Sequence, residues 1–452
     1  MAQSVFRIGC GAGFGGDRLD AAVPVVAALA EAGGPACLMF ETLAERTLAL
    51  AQLERKAGRI GYDAHLVDRL APVLKNCLDH RIAIVGNFGC ADPEGAARAI
   101  AGLADRLGCR VPKIAIVSGD DLVSGRDDAD LAALLATGVP AGERVISANA
   151  YLGAREIAAA LTGGADVVVT GRVADPALAV GPIVSHFGWD FDDHDRIAAA
   201  TMAGHLLECG AQVTGGYYCD PGFKDVDGLE AIGFPICEVS GDGSLVITKP
   251  EATGGCVNAR TVKEQLLYEI HDPSAYLTPD VVLDLTAVEV SQIGRDRVQV
   301  AGARGKPRPE TLKATVCYDG GYIGEGEISY AGPNALARAK AAMETIRRRV
   351  DPALRLRADL IGSASLFADD DGRFIAEEAR LPPTSDVRLR VAVAAVERAA
   401  VEAAVYEVGA LYTCGPAGGA GVRTSVRSRI STGSVLVPRQ FVSPSLQFLG
   451  SA

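Results

Sequence analysis

The chain has 452 residues, a formal net charge of −12, and 49% hydrophobic against 22% charged residues. That balance excludes a disordered or supercharged protein and leaves room for two or three domains with large cores. An acidic chain with no Lys/Arg block excludes nucleic acid and anionic membrane as expected partners.

In chain order, Ala21–Ala30 is the longest uncharged run near the N-terminus, too short for a membrane span. Asp17, Arg18 and Asp20 before it make a poor secretory signal. Eleven scattered cysteines without C-x-x-C argue against a disulfide framework or zinc ribbon, so a reduced, cytoplasmic protein is expected. Apolar or β-branched runs at Val5–Ile8, Ala36–Phe40, Arg81–Val85, Lys113–Val117, Val145–Ser147 and Asp166–Thr170 predict strands. Helical periodicity lies between them at Ala21–Ala32, Thr42–Ala57, Pro93–Leu107, Ala129–Ala136 and Ala154–Leu161. This alternation predicts an α/β fold: a Rossmann-like parallel sheet with helices on both faces, ligands binding where the turns at the strands' carboxyl ends converge.

The second half changes character. A Gly-rich stretch, Thr214–Thr261, is followed by a helix at Val262–Ile270. Strands are predicted at Val281–Leu285, Val298–Ala301, Leu312–Tyr318, Tyr322–Tyr330, Asp359–Ala364 and Val387–Val393. Helices are predicted at Pro333–Val350 and Val396–Tyr412. The expected division is an α/β ligand-binding domain, 1–280, and a smaller α+β domain, 281–452, with a ferredoxin-like unit as its candidate arrangement.

Several motifs carry candidate chemistry. Gly11-Ala12-Gly13-Phe14-Gly15-Gly16 fits G-x-G-x-x-G after a strand, where glycines let backbone approach a phosphate; the competing reading is a tight turn without ligand. Gly11, Gly13, Gly16, Asp17 and Arg18 are the substrate-binding candidates there, and Glu41 is the acidic residue a dinucleotide would require. Asn87, Asp120, Asp121 and Asn149 end strands, as ligand contacts or as caps. Arg172 in TGRVADP suits bidentate capture of a carboxylate, and Asp175 beside it is a catalytic candidate or a helix cap. On a following helix, His205, Glu208 and Cys209 share one face. His205 with Glu208 suits proton transfer; metal ligation and a core ion pair are the alternatives. Lys249 and Thr253 are further anion contacts or hairpin residues. P-loop, H-E-x-x-H and G-x-S-x-G signatures are absent.

The runs RIGCGAGFGGDR, FETLAERTLA, SANAYLGA, DVVVTGRVADPALAVGP, GHLLECGAQVTGGYYCDPG and KPEATGGCVNARTVKEQLLYEIHDPSAYLTPDVVLD resemble the acyclic terpene utilisation protein family, AtuA-like, from about Phe6 to Gly415. The resemblance implies catabolism of branched or terpenoid carboxylic acids or their acyl-CoA derivatives. Longer family members carry a small C-terminal domain, so a separately encoded small partner protein is expected to replace it, and a homo-oligomer is expected as well. The combined expectation is an enzyme, a lyase of hydratase/dehydratase type, with no cofactor predicted. The alternatives are a non-catalytic acyl-binding or scaffolding subunit, and a nucleotide-cofactor oxidoreductase.

Overall fold

The computed structural model describes residues 5–127, 131, 134–135, 139, 143–363 and 386–450. The chain forms two compact units, 1–317 with 432–452, and 318–431. In the first unit the elements run β1 (Phe6–Ala12), α1 (Ala22–Ala32), β2 (Ala36–Phe40), α2 (Glu45–Lys56), α3 (Leu66–Leu70), α4 (Leu74–His80), β3 (Ala83–Gly86) and α5 (Pro93–Arg106). They continue through β4 (Ile114–Ser118), β5 (Val145–Ala150), α6 (Arg155–Thr162), β6 (Val167–Thr170), α7 (Ala177–Phe187) and α8 (His194–Glu208). Then follow β7 (Ile236–Val239), β8 (Leu245–Thr248), α9 (Ala259–Leu267), β9 (Tyr276–Leu277), β10 (Val282–Asp284), β11 (Glu289–Gly294), β12 (Arg297–Ala301), β13 (Arg304–Lys306) and β14 (Thr311–Ala331). The expected helix Ala129–Ala136 falls largely outside the described residues.

Burial explains why the strands read as unbroken apolar runs. Every residue of β2 and β6 is buried, as strands covered on both faces must be. β1, β2, β3, β6 and β4 pair in parallel in that spatial order. Antiparallel strands flank them: β7, β8, β12 and β11 beside β1, and β18 (Ser445–Phe448) beside β4. The ten-stranded sheet is therefore mixed, a correction to the purely parallel expectation. β5 also leaves it and pairs with β14, the Tyr151 N–H donating to the Lys313 carbonyl at 2.9 Å. An apolar run specifies a strand; it does not specify the partner.

Local signals set the helix starts. The Asp92 side chain accepts from Gly95 N at 2.9 Å with Pro93 at the first helical position of α5. Asn258 and Thr261 form a reciprocal capping box on α9. α8 is buried continuously from Ile197 to Leu207, a central helix apolar nearly all round. Val281, Leu283, Val298, Val300, Leu312 and Val316 join the same core, which explains why the first unit runs on to Cys317 and past residue 280.

The second unit contains the rest of β14, then α10 (Ala335–Arg349), β15 (Arg355–Ile361), β16 (Asp386–Ala395), α11 (Arg398–Cys414) and most of β17 (Ala420–Pro438). Its spatial strand order is β15, β16, β14, β17. Its own core is built on Ile328, Ala339, Ile346, Leu360, Leu389 and Val408. No described helix is long and apolar enough to cross a membrane.

Candidate active site

A cavity of about 760 Å³ opens in the first unit at the carboxyl ends of β1, β2 and β6. The segment after β1 contributes Gly13, Phe14 and Asp17; the one after β2 contributes Glu41, Leu43 and Glu45; the one after β6 contributes Arg172 and Asp175. The end of α8 adds His205, Glu208 and Cys209, and Tyr276, Leu277, Lys313 and Leu436 close the remaining sides. Six carboxyl groups line it (Asp17, Glu41, Glu45, Asp175, Glu208 and Glu269) against the cations Arg172 and Lys313 and the imidazole of His205.

The glycine motif does a different job from the expected one. β1 extends to Ala12, so Gly9 and Gly11 are strand residues. A Cβ on Gly9 would meet Val25 at 2.3 Å, and one on Gly11 the Phe40 ring at 2.5 Å. At Gly13 a Cβ would lie 2.1 Å from Gly210 N and 2.5 Å from the Glu208 carbonyl oxygen, so this glycine lets the turn press on the end of α8. Gly16 sits under the Phe14 ring. The Gly13 N–H donates to Asp17 Oδ2 at 2.8 Å, and α1 begins only at Ala22. A phosphate cradle requires free amides at a helix N-terminus. Here the Gly13 amide is taken by Asp17 and Gly13 packs against the end of α8, so close packing accounts for this glycine as the competing tight-turn reading has it. Arg69, buried, fixes the same turn through the Gly15 carbonyl at 2.5 Å, while Arg18 points away and donates to the Glu230 carbonyl at 2.8 Å.

Arg172 is 1% exposed and its guanidinium is largely committed. Nε and Nη2 donate to the Val173 carbonyl at 2.8 and 2.6 Å, Nη1 to the Leu43 carbonyl, and Nη2 to Asp175 Oδ1. Its Cζ lies 4.5 Å from the Tyr151 ring centroid. It is a brace for the β2 and β6 loops, with little left to seize a substrate carboxylate. Beneath it, Asp120 Oδ2 accepts from Arg172 N at 3.1 Å and from Asn149 Nδ2 at 2.7 Å. Asn87 accepts from Thr42 N at 2.8 Å and donates to Glu41 Oε1 at 2.8 Å. Asn87, Asp120 and Asn149 are thus buried supports of the cavity wall and do not line it. Asp175 serves no cap: the residue at the start of α7 is Pro176, without a side-chain cap bond. Lys249 and Thr253 lie elsewhere, beyond β7, in a second recess with Arg7 and Arg297; Lys249 Nζ donates to the Thr253 carbonyl at 2.8 Å.

Burial lifts four of these carboxyl groups, Asp17, Glu41, Asp175 and Glu208, above their ordinary range. Burial, then the neighbouring Asp175, pushes Glu41 up to about 8. Its Oε1 accepts from Leu43 N at 2.9 Å and from Asn87, so the proton is carried on Oε2. Burial raises Asp175 and Asp17 as well, partly offset at Asp175 by Arg172. Glu208 is pushed up to about 7 by burial, with His205 restraining the shift. His205 Nδ1 lies 2.7 Å from Glu208 Oε1. Burial opposes a charge on His205, and the Glu208 carboxylate overcomes it, so the imidazole rises above its ordinary value. Both sit in the last turn of α8, where free carbonyls favour an imidazolium and disfavour a carboxylate. Glu45 is shifted the other way: burial works against its charge, but the Tyr151 hydroxyl at 2.5 Å and Lys313 hold it below its usual range.

One stability consequence follows from Glu41. A carboxyl raised in the folded state contributes fully below its unfolded value of 4.5 and loses that contribution as pH rises through about 8. Glu41→Gln keeps both acceptor bonds and carries no proton to lose. Thermal melts are expected to show the variant above the parent by about 5 °C at pH 9, the gap closing at pH 4. Parallel curves across that range would refute the buried proton.

The profile of the acyclic terpene utilisation family protein AtuA matches residues 6–448, nearly the whole chain. The protein is a mixed α/β protein with a carboxyl-rich cavity. It belongs to the AtuA family, associated by name with acyclic terpene utilisation. No significant match is found among curated proteins or among solved structures. Among the described residues, no group of three or more His, Cys, Asp or Glu side chains is arranged to hold a metal ion.

The sequence motifs pick out Gly13, Asp17, Arg172, Asp175, His205 and Glu208, and the fold brings all six to one cavity. Sequence reasoning missed Glu45, Tyr151, Tyr276, Glu269 and Lys313. Glu45, Tyr151, Glu269 and Tyr276 all stand inside the quoted motif runs, where no spacing singles them out, and Lys313 lies in a segment without a motif.

Proposed function

We propose that the protein is an enzyme of branched or terpenoid carboxylic-acid catabolism, adding or removing water next to a carboxyl or thioester carbonyl. The observation that carries this reading is the proton-holding Glu41 facing the same cavity as the Glu208–His205 pair. In the dehydration direction Glu208, kept as carboxylate by His205, takes the proton from the carbon next to the carbonyl. The electron pair moves onto the carbonyl oxygen and returns to form the double bond, expelling the β-hydroxyl. That hydroxyl leaves as water after taking the proton from Glu41 Oε2. Solvent then returns one proton to Glu41 and removes one from Glu208. Phe14, Leu43, Leu277, Leu312 and Leu436 offer apolar walls for a branched hydrocarbon, and Lys313 at the side is the cation with most freedom for an acidic head group.

The test is incubation of the purified protein in H2¹⁸O with a panel of branched 3-hydroxy and 2-enoic acids and their thioesters. Label entering the 3-hydroxyl is the expected result, and no label in any member overturns the reading. The rate should follow a bell with apparent values near 7 and 8, the base being charged above the first and the acid protonated below the second. A profile flat from pH 6 to 9 would remove both groups from the reaction.

A further inference from the structure

The reaction above needs a donor for the oxygen on which negative charge develops, and the obvious ones are spent. Gly13 N–H is held by Asp17, and Arg172 by Val173, Leu43 and Asp175. We propose that Tyr276, through its phenolic O–H, is the donor to the substrate's carbonyl oxygen, a further catalytic residue of this site; the proposal rests on the reading of the cavity as an addition–elimination centre.

Four observations carry it. Tyr276 lines the cavity, and its ring centroid stands 5.5 Å from that of His205. Among the described residues its hydroxyl makes no hydrogen bond, whereas the Tyr151 hydroxyl is consumed by Glu45 and Tyr217 stands 81% exposed at the rim. A largely covered phenol normally finds a partner, so one left open toward a cavity is a donor kept for a ligand. Finally, burial, then Glu208 and Asp175, push the Tyr276 phenol well above its ordinary value, so the proton stays on it throughout the working pH range. The short strand β9 places it: Tyr276 pairs with Leu283, whose side chain is fully buried in the core.

The donor is neutral, which suits this cavity. A phenol gives its hydrogen bond to whichever oxygen carries the growing charge and adds no charge of its own to the cavity.

The experiment compares the parent with Tyr276→Phe and Glu208→Gln. The probe is the N-acetylcysteamine thioester of 3-methylbut-2-enoic acid, labelled with ¹³C at the carbonyl and followed by infrared difference spectroscopy. In the parent and in E208Q the bound carbonyl band is expected below that of the free probe; in Y276F it returns to the free position. Turnover in Y276F should fall about 10²–10³-fold, with a melting temperature no lower than the parent's, because the hydroxyl has no protein partner to lose. An equally shifted band in Y276F, or no shifted band in the parent, overturns the proposal. If E208Q keeps full turnover while the shift depends on Tyr276, the acid–base reading fails and the Tyr276 contact stands.

Discussion

Glu208→Gln is expected to lower turnover by about 10³-fold while the protein stays folded. Gln has the same shape, and its amide oxygen can still accept from His205 Nδ1, so the 2.7 Å contact at the end of α8 survives. What is lost is the capacity to take a proton. The substitution also removes the charge that does most to lift His205, so burial weighs against only the smaller backbone contacts at Leu266 and Gln265 and the imidazole's value drops. Turnover should therefore fail to recover at any pH, and ring titration by NMR should show His205 neutral at pH 7. Turnover within tenfold of the parent would displace Glu208 from the mechanism.

Gly13→Ala carries the second large effect, this time on stability. The added methyl would sit 2.1 Å from Gly210 N, 2.4 Å from Cys209 C and 2.5 Å from the Glu208 carbonyl oxygen, all of them backbone atoms. A side chain can rotate away from such a contact; the end of a buried helix cannot. A cost of about 3 kcal/mol or more is expected, read as a fall of at least roughly 6 °C in melting temperature. If Gly13 were needed for phosphate approach, G13A would melt like the parent and lose only ligand binding. Calorimetry without ligand decides between the two.

These cases show what the chain reveals before it folds. β2 is legible to the residue, because Ala36–Phe40 is a fully buried strand between turns and periodicity reports burial directly. His205 and Glu208 are legible because one helix turn fixes their spacing. The glycine cluster stays ambiguous for a physical reason: close approach selects glycine whether the approaching group is a phosphate or a neighbouring helix, and the sequence is the same in both cases. Arg172 is ambiguous in the same way, since a guanidinium is as good a brace for carbonyls as a clamp for carboxylates. Lys249 sits at the end of β8, on the far side of β7 from the parallel strands, a separation that only the sheet order discloses. Tyr276 and Lys313 reach the cavity from a two-residue strand and from the strand that captures β5, placements set by tertiary pairing alone.

The pairing of β18 with β4 has a consequence for biogenesis. Ser118 and Ser445 meet across 327 residues of chain. At about 5–20 residues per second a ribosome takes roughly 15–65 s to bridge that interval. Throughout it the β4 border of the nascent sheet offers unsatisfied amides and carbonyls to any passing strand. Newborn molecules therefore live through a window in which chaperone cover matters most, and truncation before Ser445 would make that window permanent.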